Sequence, residues 1–155
     1  MKKFTIILFL SLIVSIVASA QVRNVSQINV PADYSFASYV GVAADTLSSN
    51  QDSIQIPFLF KLHKSSKLSV GVNLAKRSAN DTLVKVRVYG KNFSGDAYTL
   101  LLDSASANVN SSALQFTIPA NVVYNYRYFR VNLSIAGTKS TGVKVNRVEL
   151  KHYLQ

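Results

Sequence analysis

The sequence predicts an all-β fold, an antiparallel two-sheet β-sandwich of jelly-roll type with about eight strands. Two observations carry this. Apolar and polar residues alternate with period two in run after run, and Gly, Asn, Asp and Ser cluster between the runs. A third agrees: no segment shows sustained helical periodicity with caps.

The first element is a leader. Lys2 and Lys3 precede an apolar run from Phe4 to Val17, and Ala18-Ser19-Ala20 places small residues where a signal peptidase reads. Residues 1–20 therefore read as a secretory signal with cleavage before Gln21. The alternative is a retained anchor, but a bilayer takes roughly 20 apolar residues. The expected destination is the periplasm, the cell surface or the medium. Residues 21–155 then form one domain of ample size for a core.

Val30 to Tyr39 reads as a lead-in segment, because Pro31 has no N–H for a central strand. Ser38–Ala44 and Ser53–Phe60 follow as strands. Leu68, Val70, Val72 and Leu74 share one face of the next, and Val84, Val86 and Val88 share one face of another, with Lys85, Arg87 and Tyr89 opposite. Ala97–Asp103 and Ala113–Ile118 are further strands, with a short helical turn the most that Ser104–Val109 would form. Phe129, Val131, Leu133 and Ile135 line one face of a strand whose other face carries Tyr128, Arg130, Asn132 and Ser134. The last strand is Val143–Leu154. Its apolar parity changes between Val145 and Val148, which predicts a β-bulge near Asn146-Arg147. A strand that starts only at Arg147 gives the same pattern. Turns are expected at Asp45–Asp52, Lys76–Asp81, Asn92–Asp96, Ser104–Ser112 and Ala136–Gly142.

Composition excludes several chemistries. There is no cysteine, hence no disulfide, thiol nucleophile or Cys-ligated zinc. His63 sits among Lys61 and Lys64, and His152 shares a strand parity with Val148 and Leu150, the pattern of a half-buried sheet-margin residue. There is no nucleophile elbow, no phosphate loop and no metalloprotease or calcium-loop motif. No catalytic activity, cofactor or metal is expected. Asp45 and Asp52 flank one loop and could contribute to a calcium site with backbone carbonyls, although plain turn residues explain them more simply. Five N-x-[ST] sites, at Asn24, Asn80, Asn92, Asn110 and Asn132, follow from an Asn- and Ser-rich composition.

Charge is the main functional signal. Without Lys2 and Lys3 the 17 basic residues become 15 against 7 acids, a formal charge of +8. Lys85 and Arg87 share the wet face of one strand, and Tyr128 and Arg130 that of another. Cations interleaved with aromatics hold sugars or anionic polymers by stacking and charge, so these four are the candidate ligand-binding residues. A solvated face with ordinary cross-strand packing is the plainer account of them. No specific nucleic-acid recognition is expected.

The segments Tyr126-Arg127-Tyr128-Phe129-Arg130-Val131 and Lys144-Val145-Asn146-Arg147-Val148-Glu149-Leu150 resemble the closing strands of discoidin-like, coagulation-factor type C domains. That resemblance implies a jelly-roll sandwich that binds carbohydrate or lipid headgroups through loops at one end. Asp45-Thr46-Leu47, Leu83-Val84-Lys85-Val86, Lys91–Tyr98 and Tyr126–Phe129 together resemble small β-sandwich modules of virion proteins from phages of Bacteroidetes. This second resemblance implies a structural or host-surface-binding part. The expected function is an exported, non-catalytic structural or assembly protein at a cell envelope or virion surface, its partners itself or other surface or virion proteins. The alternative is a module that binds carbohydrate or polyanions.

Overall fold

The computed structural model describes residues 21–31, 36–48, 52–60, 67–76, 83–106, 113–123, 126–136 and 142–153. The predicted leader, His63 and the Lys76–Asp81 turn beyond Lys76 lie outside the described residues. The strands are β1 (Val22–Asn24), β2 (Ile28–Val30), β3 (Phe36–Val40), β4 (Thr46–Leu47), β5 (Ser53–Phe60), β6 (Lys67–Lys76), β7 (Leu83–Lys91), β8 (Thr99–Ser106), β9 (Ala113–Pro119), β10 (Tyr128–Ala136) and β11 (Val143–Tyr153). One helical turn, α1 (Ala120–Val123), joins β9 to β10. Eight of these strands have five or more residues, matching the expected number.

The strands form two sheets. Sheet 1 runs β1-β5-β10-β7-β8, with β2 also on β5, and sheet 2 runs β3-β11-β6-β9, with β4 also on β11. All pairings are antiparallel except those of β1 and β2, which run parallel to β5. The alternating residues do what alternation requires. Ile54, Ile56, Phe58 and Phe60 of β5, Val84, Val86 and Val88 of β7, and Phe129, Val131 and Leu133 of β10 face Leu68, Val70, Val72 and Leu74 of β6 across the core, each at most 2% exposed. Each such side chain withdrawn from water contributes about 1.5–3 kcal/mol before entropy is charged against it. Phe60 and Phe129 meet edge to face at 6.0 Å.

The predicted bulge is present. Val145 pairs with Leu74 and Arg147 with Asn73, leaving Asn146 as the extra residue. The insertion resets the parity, so Val145 and Val148 are both fully buried. Asn146 is held on both sides: its Nδ2 donates to Asn73 Oδ1 at 3.0 Å, and its carbonyl accepts from Gly41 N–H at 2.8 Å.

Four expectations need correction. The strand placed at Ser38–Ala44 is Phe36–Val40, and the chain turns at Gly41–Ala44 to bring Asp45 inward. Within the Val30–Tyr39 lead-in, Val30 ends β2 and Phe36–Tyr39 belong to β3; Pro31 stands outside both strands as expected, and positions 32–35 lie outside the described residues. The strand placed at Ala97–Asp103 starts at Thr99 and runs through Ser106, which removes the helical turn expected from Ser104; positions 107–109 lie outside the described residues. β1 and β2 were not predicted, because three residues are too few to display alternation.

Pro57 lies in the interior of sheet 1, where proline is normally excluded. Ser53 N–H donates to Gln21 O at 3.0 Å and Val25 N–H to Gln55 O at 2.9 Å, so the odd-numbered backbone groups of β5 face β1 and β2. Pro57 therefore directs its missing donor at the break between Asn24 and Ile28. The proline costs the sheet no hydrogen bond because the neighbouring strand is interrupted there.

The two sheets are tied along one seam. Asp45 is fully buried; its Oδ2 accepts from Tyr39 O–H at 2.5 Å and from Val42 N–H at 2.6 Å. Arg23 Nε of β1 lies 2.5 Å from its Oδ1. Asp52, 8% exposed, accepts from Ser48 N–H at 2.8 Å and Gln21 N–H at 3.4 Å. The carboxylates considered for calcium are thus engaged by the protein itself.

Tyr39 carries a pH consequence. Burial above all, then the hydrogen bond and charge of Asp45, raise its pKa above the ordinary 10.0, against the opposing Arg23. The folded state holds this proton more tightly than the unfolded chain, so its contribution is intact below about pH 10 and is lost as pH climbs through the raised value. Urea unfolding at stepped pH is expected to show a decline above pH 10 that is shallower in Tyr39→Phe.

Candidate functional site

Alternation sends the polar side chains of β7 and β10 to the outer face of sheet 1, and the pairing register decides which of them meet. Lys91 stands opposite Tyr128, Tyr89 opposite Arg130, and Arg87 opposite Asn132. The four predicted residues, Lys85, Arg87, Tyr128 and Arg130, therefore share one face on adjacent strands. On the far side of β10, Pro57 and Gln55 lie opposite Arg130 and Asn132.

The structure divides these four into two groups. Lys85 Nζ lies 3.2 Å from Asp103 Oδ2, and Arg87 Nε lies 3.3 Å from Asp103 Oδ1. Desolvation acts to raise the Asp103 pKa, but Lys85 and then Arg87 outweigh it and hold the carboxyl below its ordinary value. This half of the face is a cross-strand ion-pair cluster, the plainer account of these residues.

Arg130 and Tyr128 belong to a different arrangement. The Arg130 guanidinium lies 4.8 Å from the centre of the Tyr89 ring and 4.3 Å from that of Tyr98. Arg130 Nη1 also donates to Gln55 Oε1 at 3.1 Å. Lys91 Nζ lies 4.8 Å from the Tyr98 ring and 5.5 Å from the Tyr128 ring, and it donates to the Ser94 carbonyl. Three tyrosines and two cations thus interleave on one half-buried patch. Arg130 Nε and Asn132 Oδ1, consecutive on this face of β10, are buried without a hydrogen-bond partner among the described residues.

Tyr98 was missed by sequence reasoning, and Tyr89 was read only as a wet-face residue. Tyr89 shares parity with Lys85 and Arg87, so its position was legible. Tyr98 precedes β8 and is delivered by the turn expected at Asn92–Asp96. There Phe93 N–H donates to Asp96 Oδ2 at 3.0 Å and Asp96 N–H donates to Phe93 O at 3.2 Å. A second bulge helps: Val88 pairs with Leu102 but Tyr89 with Leu100, leaving Leu101 extra. Leu101 packs toward the core while Leu100 stays 48% exposed beside the patch. Gly90 makes room, since a Cβ there would lie 2.8 Å from both the Leu101 side chain and the Tyr126 ring. Burial raises the Tyr98 pKa above 10.0; Arg130 opposes the rise and Tyr128 adds to it.

A concavity of about 210 Å³ lies over sheet 2. It is lined by Gly71, Val72, Asn73, Gln115, Arg147 and Glu149 and contains no aromatic ring.

No protein-family model and no curated protein matches the chain. Solved structures of similar shape exist. Tripeptidyl peptidase 2 matches with a TM-score of 0.55 at 6% identity, over 83% of this chain and 11% of that one. Xylanase 10C of Cellvibrio japonicus, solved with xylopentaose, matches with a TM-score of 0.51 at 11% identity, over 79% of this chain and 28% of that one. The xylan-binding module CBM15 gives 0.49 at 9% identity, over 81% of this chain and 95% of the module. At these identities the likeness is one of fold: a jelly-roll β-sandwich, the coarser part of the discoidin resemblance.

Proposed function

We propose that this chain is an exported, non-catalytic carbohydrate-binding module that takes acidic glycans on the outer face of sheet 1. The observation that carries this is the Tyr89–Arg130–Tyr98 stack with Lys91 and Tyr128 beside it. Tyrosine faces suit the C–H surface of a sugar ring, while a guanidinium and an ammonium held among them suit its carboxylate or sulfate. The net charge of residues 21–155 would draw an acidic chain toward the face. The fold shared with a part, 28%, of a xylanase chain agrees with this reading without carrying it.

The test is affinity electrophoresis and calorimetry against polygalacturonate, heparin and neutral xylan. Binding to an acidic glycan is expected to weaken as salt rises. Tyr98→Ala and Arg130→Ala are each expected to weaken it about tenfold, the equivalent of roughly 1.4 kcal/mol. Gln115→Ala, on the opposite sheet, should leave it unchanged. Absence of binding to every glycan at low salt, or full binding by Tyr98→Ala, would reject the proposal.

The second reading is the structural or assembly role at an envelope or virion. It is favoured by Val22 of β1, Val40 at the end of β3 and Val42 just after it, each more than half exposed. Light scattering decides it: a strict monomer counts against it.

A further inference from the structure

We infer that signal cleavage adds an ion pair to the fold: the α-ammonium of the new first residue, Gln21, docks on the buried carboxylate of Asp52. Gln21 is the residue that the Ala18-Ser19-Ala20 pattern makes the mature N-terminus, and this inference does not depend on the glycan reading.

The geometry is already in place. Gln21 N lies 3.4 Å from Asp52 Oδ1, and the Gln21 carbonyl accepts from Ser53 N–H at 3.0 Å. Both backbone groups of Gln21 are therefore directed by the segment that opens β5. Asp52 Oδ2 accepts from Ser48 N–H at 2.8 Å, which ties the same carboxylate to the end of β4. The Asp52 residue is 8% exposed, whereas Gln21 is exposed.

In the precursor, the peptide bond to Ala20 makes Gln21 N a neutral amide donor. Hydrolysis of that bond leaves the carboxylate on Ala20 and a free amine on Gln21, protonated at neutral pH since its ordinary pKa is about 7.7–8.0. A hydrogen bond from a neutral amide to a carboxylate becomes an ion pair, with a full positive charge on the donor facing the same carboxylate. The carboxylate is shielded from water and the ammonium keeps solvent on its outer side, so little new desolvation opposes the gain. Processing thus stabilises the end of the chain that joins the two sheets, and the unprocessed chain lacks this contribution.

The experiment compares the exported, processed protein with a chain that retains Ser19-Ala20. Intact mass must first place the mature start at Gln21 with its amine free, because lactam closure of an N-terminal glutamine removes the charge. The processed form is expected to have a folding constant about tenfold larger, a rise of roughly 4 °C in Tm. In Asp52→Asn the difference between the two forms should vanish. If that variant does not fold, acetylating the α-amine of the processed protein should abolish the advantage. Equal stability of the two forms, an advantage that survives Asp52→Asn or acetylation, a mature start at another residue, or a Gln21 found closed to its lactam overturns the inference.

Discussion

Gly41→Ala is expected to destabilise the protein by at least about 2 kcal/mol, at the upper end of what overpacking costs. A Cβ built on Gly41 lies 1.7 Å from the Val145 carbonyl oxygen and 2.8 Å from its carbon. These are backbone atoms of a strand in the middle of sheet 2, so they cannot rotate away. The connection between β3 and β4 must lift off the bulge, and the Gly41 N–H to Asn146 O bond at 2.8 Å goes with it. Gly95→Ala is the control. Nothing lies within 4 Å of a Cβ there, so stability should stay within about 0.5 kcal/mol of the parent. Paired urea titrations measure both, and a Gly41→Ala midpoint equal to that of Gly95→Ala would show that the bulge yields.

Asp45→Ala is expected to cost about 3 kcal/mol, the lower end for breaking a buried ion pair from one side, because Asp45 is buried but the Arg23 side chain is 35% exposed. The substitution strands Tyr39 O–H and Val42 N–H and leaves Arg23 facing an apolar methyl group. Asp45→Asn keeps an acceptor for Tyr39 and Val42 but loses the charge, and should fall between the parent and Asp45→Ala. In the Arg23→Ala background much of the penalty should disappear, since no cation is then left without its partner; a double-mutant cycle measures this coupling. Additive single and double variants would mean that the seam is held by the hydrogen bonds alone.

The two expectations share a location. Gly41, Asp45, Asn146 and Arg23 all belong to the seam where β1 meets the β3–β4 connection. Its residues are distant in sequence, so it contributes little until the sandwich has closed. The aromatic–cation patch on the outer face of sheet 1 is built differently. Its members stand on adjacent antiparallel strands, apart from Tyr98, and their substitution should affect binding more than folding.

Strand alternation is a local property, and for that reason the long strands, their buried rows and the β11 bulge were legible residue by residue. Val145 and Val148 cannot both face a core on a regular strand, so chain geometry narrows the segment to a bulge or a strand that starts at Arg147, and the pairing register shows the bulge. The same logic placed Lys85, Arg87, Tyr128 and Arg130 on wet faces. It could not show that two of them are occupied by Asp103 while Arg130 is enclosed by Tyr89 and Tyr98, because that depends on cross-strand register and on a turn that carries Tyr98 onto the sheet. Nor could it recognise Asp45 and Asp52 as inter-sheet ties, since a buried carboxylate and a turn carboxylate look alike until their partners are brought from elsewhere in the chain. The fold class, the faces and the excess of positive charge follow from short-range periodicity and composition alone. Tertiary structure alone decided which charges are neutralised and which stand among aromatic rings, because pairing is set by contacts between segments far apart in the chain.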